Sequence, residues 1–339
     1  MPGHRAAFHS LIALAMLSLP AGPAAAASSG SFSFAVVGDM PYGAVEERRA
    51  RNVIDAINAA PAVRLVLHVG DVKGGGERCD DAILRQRHRL LGGFGAPLVV
   101  TPGDNDWTDC HRRSNGQYLP TERLAMFRRL FYPDPSRSAG ARGISLQPQS
   151  ATPGFEPYVE NALWRMGGVT FGTVHVVGSR NGLEPWNELD PGDTRATPRA
   201  DRLAEVAQRD YAAVAWVDVI FDAAAAEDSA AVVIAIHANP HLEDSPGSDS
   251  RSTYERFLTR VQARAVEFGR PVLFLHGDTH RFRHDQPLRG DDGRPLSRFT
   301  RVESFGSPFL HWVEVIVDPG DPAVFRVVPR TVEANDPFR

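Results

Sequence analysis

The sequence predicts a mixed α/β fold in which buried strands carry acidic side chains to a common edge. Four apolar runs end in the same dipeptide: Phe34-Ala-Val-Val-Gly38-Asp39, Val66-Leu-His-Val-Gly70-Asp71, Leu98-Val-Val-Thr-Pro-Gly103-Asp104 and Val272-Leu-Phe-Leu-His-Gly277-Asp278. A fifth, Ala231-Val-Val-Ile-Ala-Ile-His237, ends in histidine. Short β-branched runs bounded by glycine read as strands buried on both faces, and the segments between the first three have helical length and period. That alternation predicts βαβ units and a parallel sheet with right-handed crossovers.

Taken in order, 33–37 is the first strand. Val53, Ile54 and Ile57 then share one face of a helix over 45–60. Strands over 63–69 and 97–101 flank a helix over 81–91. Residues 133–153 are rich in Pro, Ser, Gly and Arg and read as a long loop. Strands over 159–166 and 169–177 meet at Gly167-Gly168, a hairpin signature. A second loop over 178–198 holds Trp186, which either stacks on a ligand or plugs the core. A helix over 202–222, a strand over 231–236, a helix over 253–268 and a strand over 271–276 follow. Strands over 298–305, 312–317 and 325–328 close the chain. The expected architecture is a βαβ half and a β-rich half, with one core between two sheets.

The first residues stand apart from this pattern. Arg5 precedes an apolar core over 11–20 and a small-residue stretch over 24–27, the three-part pattern of a secretory leader. We therefore expect a signal peptide over 1–27 and an exported protein, periplasmic or secreted. No later run has the apolar length to span a bilayer. Of 339 residues, about 310 then remain, enough for one large domain. Removing Arg5 takes the formal charge from −4 to −5, so the basic footprint of a nucleic-acid binder is lacking. Cys79 and Cys110 lie after the second and third Gly-Asp strands, and an oxidising compartment favours a disulfide between them.

Carboxylates brought together repel unless protonated or neutralised by cations, so converging Gly-Asp strand ends point to a metal site. Gly192-Asp193, Gly290-Asp291 and Gly320-Asp321 lack a preceding buried run and read as surface turns.

The order of strand-end residues resembles the calcineurin-like metallophosphoesterase superfamily. Its pattern is Asp-x-His, Gly-Asp, Gly-Asn-His-Asp/Glu, a lone His, then Gly-His-x-His. The matching blocks are Gly38-Asp39-Met-Pro41, Gly70-Asp71, Gly103-Asp104-Asn105-Asp106, His237 and Gly277-Asp278-Thr-His280. The resemblance implies a four-layer α/β/β/α metallophosphoesterase sandwich, with a domain over 32–330. It implies one metal on Asp39, Asp71 and His280, and a second on Asp71 as bridge, Asp104, His237 and Asp278. It also implies a phosphoester substrate and a metal-bound water or hydroxide as nucleophile.

The departures alter the expected chemistry. Pro41 stands where many members have a histidine ligand, and Gly74 where purple acid phosphatases have their tyrosine. Asp104 replaces the usual Asn, and Asp278 a His. Asn105 replaces the usual catalytic His and has no titratable proton near neutrality, so it can orient a substrate but not donate a proton. The carboxylate-rich set favours two divalent ions such as Mn²⁺, Mg²⁺ or Ca²⁺, with Zn²⁺ or Fe accommodated by the imidazoles. Lys73, the only lysine, is placed to meet a phosphate or to offset carboxylate charge, and His241 to face the substrate. Asp109 and His111, beside Cys110, are expected at the rim. His68 and His276 precede Gly-Asp pairs inside strands and are expected in the core or behind the ligands. A non-catalytic metal- or phosphate-binding protein on the same fold, or a Ca²⁺-stabilised interaction module, remains open.

Overall fold

The computed structural model describes residues 30–290 and 292–336, so the predicted leader lies outside the described residues. Among the described residues, twelve strands form two sheets. They are β1 (Phe32–Val37), β2 (Val63–His68), β3 (Leu98–Val100), β4 (Gln147–Pro148), β5 (Ala162–Met166) and β6 (Val169–Thr173). The rest are β7 (Ala231–Ala235), β8 (Val272–His276), β9 (Arg283–Asp285), β10 (Phe299–Glu303), β11 (Trp312–Val317) and β12 (Phe325–Arg330). The five-stranded sheet runs β12-β11-β1-β2-β3, and the seven-stranded sheet β4-β5-β6-β7-β8-β10-β9. β1, β2 and β3 are parallel, as are β6, β7, β8 and β10; the remaining neighbours pair antiparallel.

The two-residue period of each strand divides it between layers. Phe34 and Val36 of β1 face the seven-stranded sheet, among Trp164, Phe171, Leu273 and Leu275. Ala35 and Val37 face the other way, onto Val53, Ile54 and Ile57 of the helix Gly43–Asn58 and Phe127 of the helix Pro120–Phe131. Beyond the second sheet, Trp216, Val217 and Ile220 of the helix Ala200–Ala226 and Phe257, Leu258 and Val261 of the helix Glu255–Phe268 cover Val232, Ile234 and Phe274. The protein is thus a mixed α/β sandwich, helices flanking two stacked sheets, with Phe34 edge-on to Phe171 at its centre (5.4 Å).

The Gly-Asp strands are divided between the two sheets: β1, β2 and β3 in one, β8 in the other, where β7 brings the strand-end histidine. Their carboxyl ends nevertheless share a rim, because the sheets stack face to face. At the predicted hairpin, Met166 pairs with Val169, and Gly167 and Gly168 both take positive φ, as a type I′ turn requires. Besides several short helical turns, the elements not foreseen include β9, β4 within the expected loop, and the helix Pro120–Phe131. That helix did carry a signal, with Pro at its first position and Leu124, Phe127 and Phe131 on one buried face. Trp186 is buried, so it plugs the core.

Candidate metal centre

The glycines at the rim have a steric reason. A Cβ on Gly70 would stand 2.5 Å from Nδ1 of His237, and one on Gly178 2.7 Å from Oδ2 of Asp104. At Gly103 it would overlap Asp71, and at Gly277 it would overlap Asp39. These glycines therefore let a neighbouring strand end bring its carboxylate or imidazole close. Residues at the same rim are strained: Asp39, Asp71, Asp278 and His280 all hold positive φ. Left-handed non-glycine residues of this kind cluster where a fold fixes functional side chains.

Asp39, Asp71 and His237 offer ligand atoms within 4.8 Å of one another, and so do Asp104, His237 and Asp278. Nε2 of His237 lies 3.0 Å from Asp104, 3.5 Å from Asp71 and 4.0 Å from Asp278. Its Nδ1 donates to the Val69 carbonyl across 2.8 Å. His280 is arranged alike: Nδ1 donates to the Ser307 carbonyl (2.7 Å), and Nε2 lies 3.6 Å from Asp39. A backbone acceptor on Nδ1 presents the Nε2 lone pair forward, the usual preparation of a metal-binding imidazole.

The electrostatics favour positive charge here. Burial raises the carboxyls of Asp39 and Asp71 well above their ordinary range. Burial lifts Asp278 to about 6, helped by the charge of Asp104. Burial opposes a charge on His237 too, yet Asp71, Asp104 and Asp39 outweigh it and raise that imidazole well above normal. Asp104 runs against the trend: burial is overcome by hydrogen bonds from His237 and Ser179, which hold it low. A proton on His237 and a cation would satisfy the same field. The donor chemistry fits divalent cations: buried carboxylates and two imidazoles whose Nδ1–H groups are engaged by backbone carbonyls.

Other residues hold this set in place. Asp106 accepts backbone N–H groups from Asp71 (3.1 Å), Val72 (2.9 Å) and Gly103 (2.7 Å), which fixes the loops after β2 and β3. Asn105 donates its backbone N–H to Asp71 (3.0 Å), and its side-chain amide contacts Asp71 and Tyr42. Ser179 lies between Asp104 (2.7 Å) and Asp109 (2.8 Å), and burial pushes Asp109 up to about 7. Cys79 and Cys110 form a disulfide that ties these loops together.

Some anticipated residues lie elsewhere. Lys73 is fully buried and donates to the carbonyls of Gly74 (3.0 Å) and Glu77 (3.1 Å). That position offsets the Asp71 and Asp106 charges and presents nothing to a ligand. His241 is 39% exposed in its side chain, with Nδ1 3.7 Å from Asp244 rather than at the carboxylates. Asp109 and His111 are buried beneath the rim, which corrects the expectation that they form it. His68 and His276 are buried within their strands, and desolvation keeps both neutral, at about 4 and about 3. Tyr42 and Ser179 escaped the sequence reading. Tyr42 follows Pro41 in the loop after β1, and Ser179 sits in a left-handed turn with Arg180 and Asn181 that no sequence pattern announces.

Two stacked sheets thus bring acidic strand ends and inward imidazoles to one rim, in clusters that could hold a metal ion. The calcineurin-like phosphoesterase family model matches residues 32–282. The chain belongs to that family and is a metal-dependent phosphoester hydrolase. It is similar to the structure of TT1561 of Thermus thermophilus, with a TM-score of 0.46 at 11% identity, covering 90% of this chain and 100% of that one. It is similar to purple acid phosphatase PPD1 of yellow lupin, with a TM-score of 0.47 at 10% identity over 91% and 55% of the two chains. It is also similar to phosphopantetheinyl hydrolase of Mycobacterium tuberculosis, with a TM-score of 0.44 at 14% identity over 82% and 91%. A comparison with curated protein sequences finds no match.

Proposed function

We propose that this chain is an exported hydrolase that cleaves phosphoesters with a pair of divalent cations at the shared rim. The donor set supports the reading: Asp39, Asp71, Asp104 and Asp278 converge on His237, His280 stands 3.6 Å from Asp39, and the Nδ1–H of each imidazole is held by a backbone carbonyl. Asp39, Asp71 and His280 would hold one cation. Asp71 as the shared carboxylate, Asp104, His237 and Asp278 would hold the other. His237 also lies within reach of the Asp39–Asp71 pair, so it would sit between the two positions. The oxygen-rich set favours Mn²⁺, Mg²⁺ or Ca²⁺ over Zn²⁺ or Fe. Such cations supply positive charge to phosphate oxygens and lower the pKa of a bound water.

The chain's own residues position and confine. Asp106 and Asn105 hold Asp71, and Ser179 holds Asp104. No side chain at position 105 can donate a proton to a departing oxygen, so the site favours esters whose leaving group needs none. The leader-like sequence pattern over 1–27 and the Cys79–Cys110 disulfide support export. Among the described residues no helix is long and apolar enough to cross a membrane. Pairing of β11 and β12 onto β1 supports one domain over 32–330.

The test is turnover of aryl phosphates and bis-aryl phosphates by metal-free protein with Mn²⁺, Mg²⁺, Ca²⁺ or Zn²⁺ restored one at a time. Metal-dependent hydrolysis that chelation abolishes is expected. Metal binding without turnover would favour the non-catalytic binder that Asn105 also permits.

A further inference from the structure

The hydroxyl of Tyr42 lies inside the donor set. Its oxygen is 3.0 Å from Oδ2 of Asp71 and 3.2 Å from Nε2 of His280, and the Asn105 side-chain amide donates to it across 3.2 Å. With Nδ1–H of His280 engaged by Ser307, its Nε2 presents a lone pair; Asp71 presents another. One phenol O–H can satisfy only one of them. Asp39, 3.6 Å from the same Nε2, adds a further acceptor.

The two Tyr42 distances are those of neighbouring ligands on one cation. Ligand atoms about 2.1 Å from a common cation lie roughly 3.0–3.4 Å apart. The position of Tyr42 is also secured. Glu46 accepts its backbone N–H (2.8 Å) and, through its other oxygen, the Ser307 hydroxyl (2.7 Å). One glutamate thus anchors both Tyr42 and the residue that orients His280. The two rings meet edge-on with centroids 5.2 Å apart.

We propose that the Tyr42 phenol oxygen ligates the cation held by Asp39, Asp71 and His280, on the side where Pro41 offers no donor. The inference rests on the metal-site reading above. On binding, the phenol O–H bond breaks, an oxygen lone pair forms the bond to the cation, and the proton passes to solvent. The ligand is supplied from the loop after β1, not from position 74, which is glycine.

Ferric iron is the probe, because a phenolate bound to Fe³⁺ gives a visible charge-transfer band and enhanced phenolate ring modes in resonance Raman spectra. Wild-type protein loaded with Fe³⁺ should hold two ions per chain and show both signals. Tyr42→Phe should lose the signals and bind one of two Mn²⁺ ions roughly 10–100-fold more weakly, at least the penalty of losing an outer-shell partner. Tyr42→His restores a donor and should hold both ions without the signals, which separates loss of the ligand from loss of the ion. Two bound Fe³⁺ ions without phenolate modes, or modes that persist in Tyr42→Phe, would overturn the assignment of Tyr42 alone. Wild-type protein that binds fewer than two ions of any metal would overturn the two-cation reading and this assignment with it.

Discussion

His237, at the end of a strand in the seven-stranded sheet, donates its Nδ1–H to the carbonyl of Val69, at the end of a strand in the other sheet. That bond fixes which nitrogen faces Asp104 and locks the two sheets together at the point where ligands converge. Gly70, directly after Val69, makes the approach possible, with φ of +95° and no Cβ to meet the ring.

Gly70→Ala should therefore weaken metal binding although Gly70 is not itself a ligand. The new methyl would force His237 away, and the left-handed backbone would add strain of about 1–3 kcal/mol. We expect Mn²⁺ affinity to fall on the order of 10–100-fold, as for other losses of a group that orients a ligand. Calorimetric titration beside a thermal melt checks this, and unchanged affinity in a folded variant would sink it.

Leaving-group dependence reports on position 105. General acid catalysis contributes on the order of 10²–10⁴ in rate, so its absence should show in which esters react. Aryl phosphates should be hydrolysed well and alkyl phosphates poorly, with log kcat/KM falling steeply as leaving-group pKa rises. A flat dependence would identify another proton donor.

Glu160 gives a pH prediction away from the metal centre. It is buried, which disfavours its charge, but Arg128 and His175 outweigh burial and hold it at about 2 against an ordinary 4.5. A carboxyl depressed on folding stabilises fully above the unfolded value and loses that contribution as pH falls through the folded one. The contribution is on the order of 3 kcal/mol. The stability gap between wild type and Glu160→Gln, read by urea unfolding, should be large at pH 6 and shrink between about 4.5 and 2. A gap independent of pH would refute the pairing.

Much of this was legible because buried strands announce themselves locally. The runs ending at Asp39, Asp71, Asp104, His237 and Asp278 are apolar on both faces, and each terminates at a residue with chemistry. What the sequence withheld depends on tertiary distance. Tyr42 reads as an ordinary aromatic until the loop after β1 folds against Asp71 and His280. Lys73 looks open after a strand end, yet Gly74 and Glu77 carbonyls close over its ammonium. The division of the strand ends between two sheets could not be read from spacing, since both arrangements bury the same residues.

Cys79 and Cys110, 31 residues apart, should show no titratable thiol in unfolded, unreduced protein. Replacing both with serine should destabilise the fold by about 3–4 kcal/mol on the chain-entropy argument, read as a lower urea midpoint. Two free thiols would contradict the bridge.

The central claim is that Asp71 is shared by two cations, and metal content per chain tests it most directly. Elemental analysis of Mn²⁺-loaded wild type should give two ions. Asp39→Asn and Asp278→Asn should each retain about one, whereas Asp71→Asn should lose both, because a bridging carboxylate serves both cations. Two ions held by Asp71→Asn at near wild-type affinity would contradict the account.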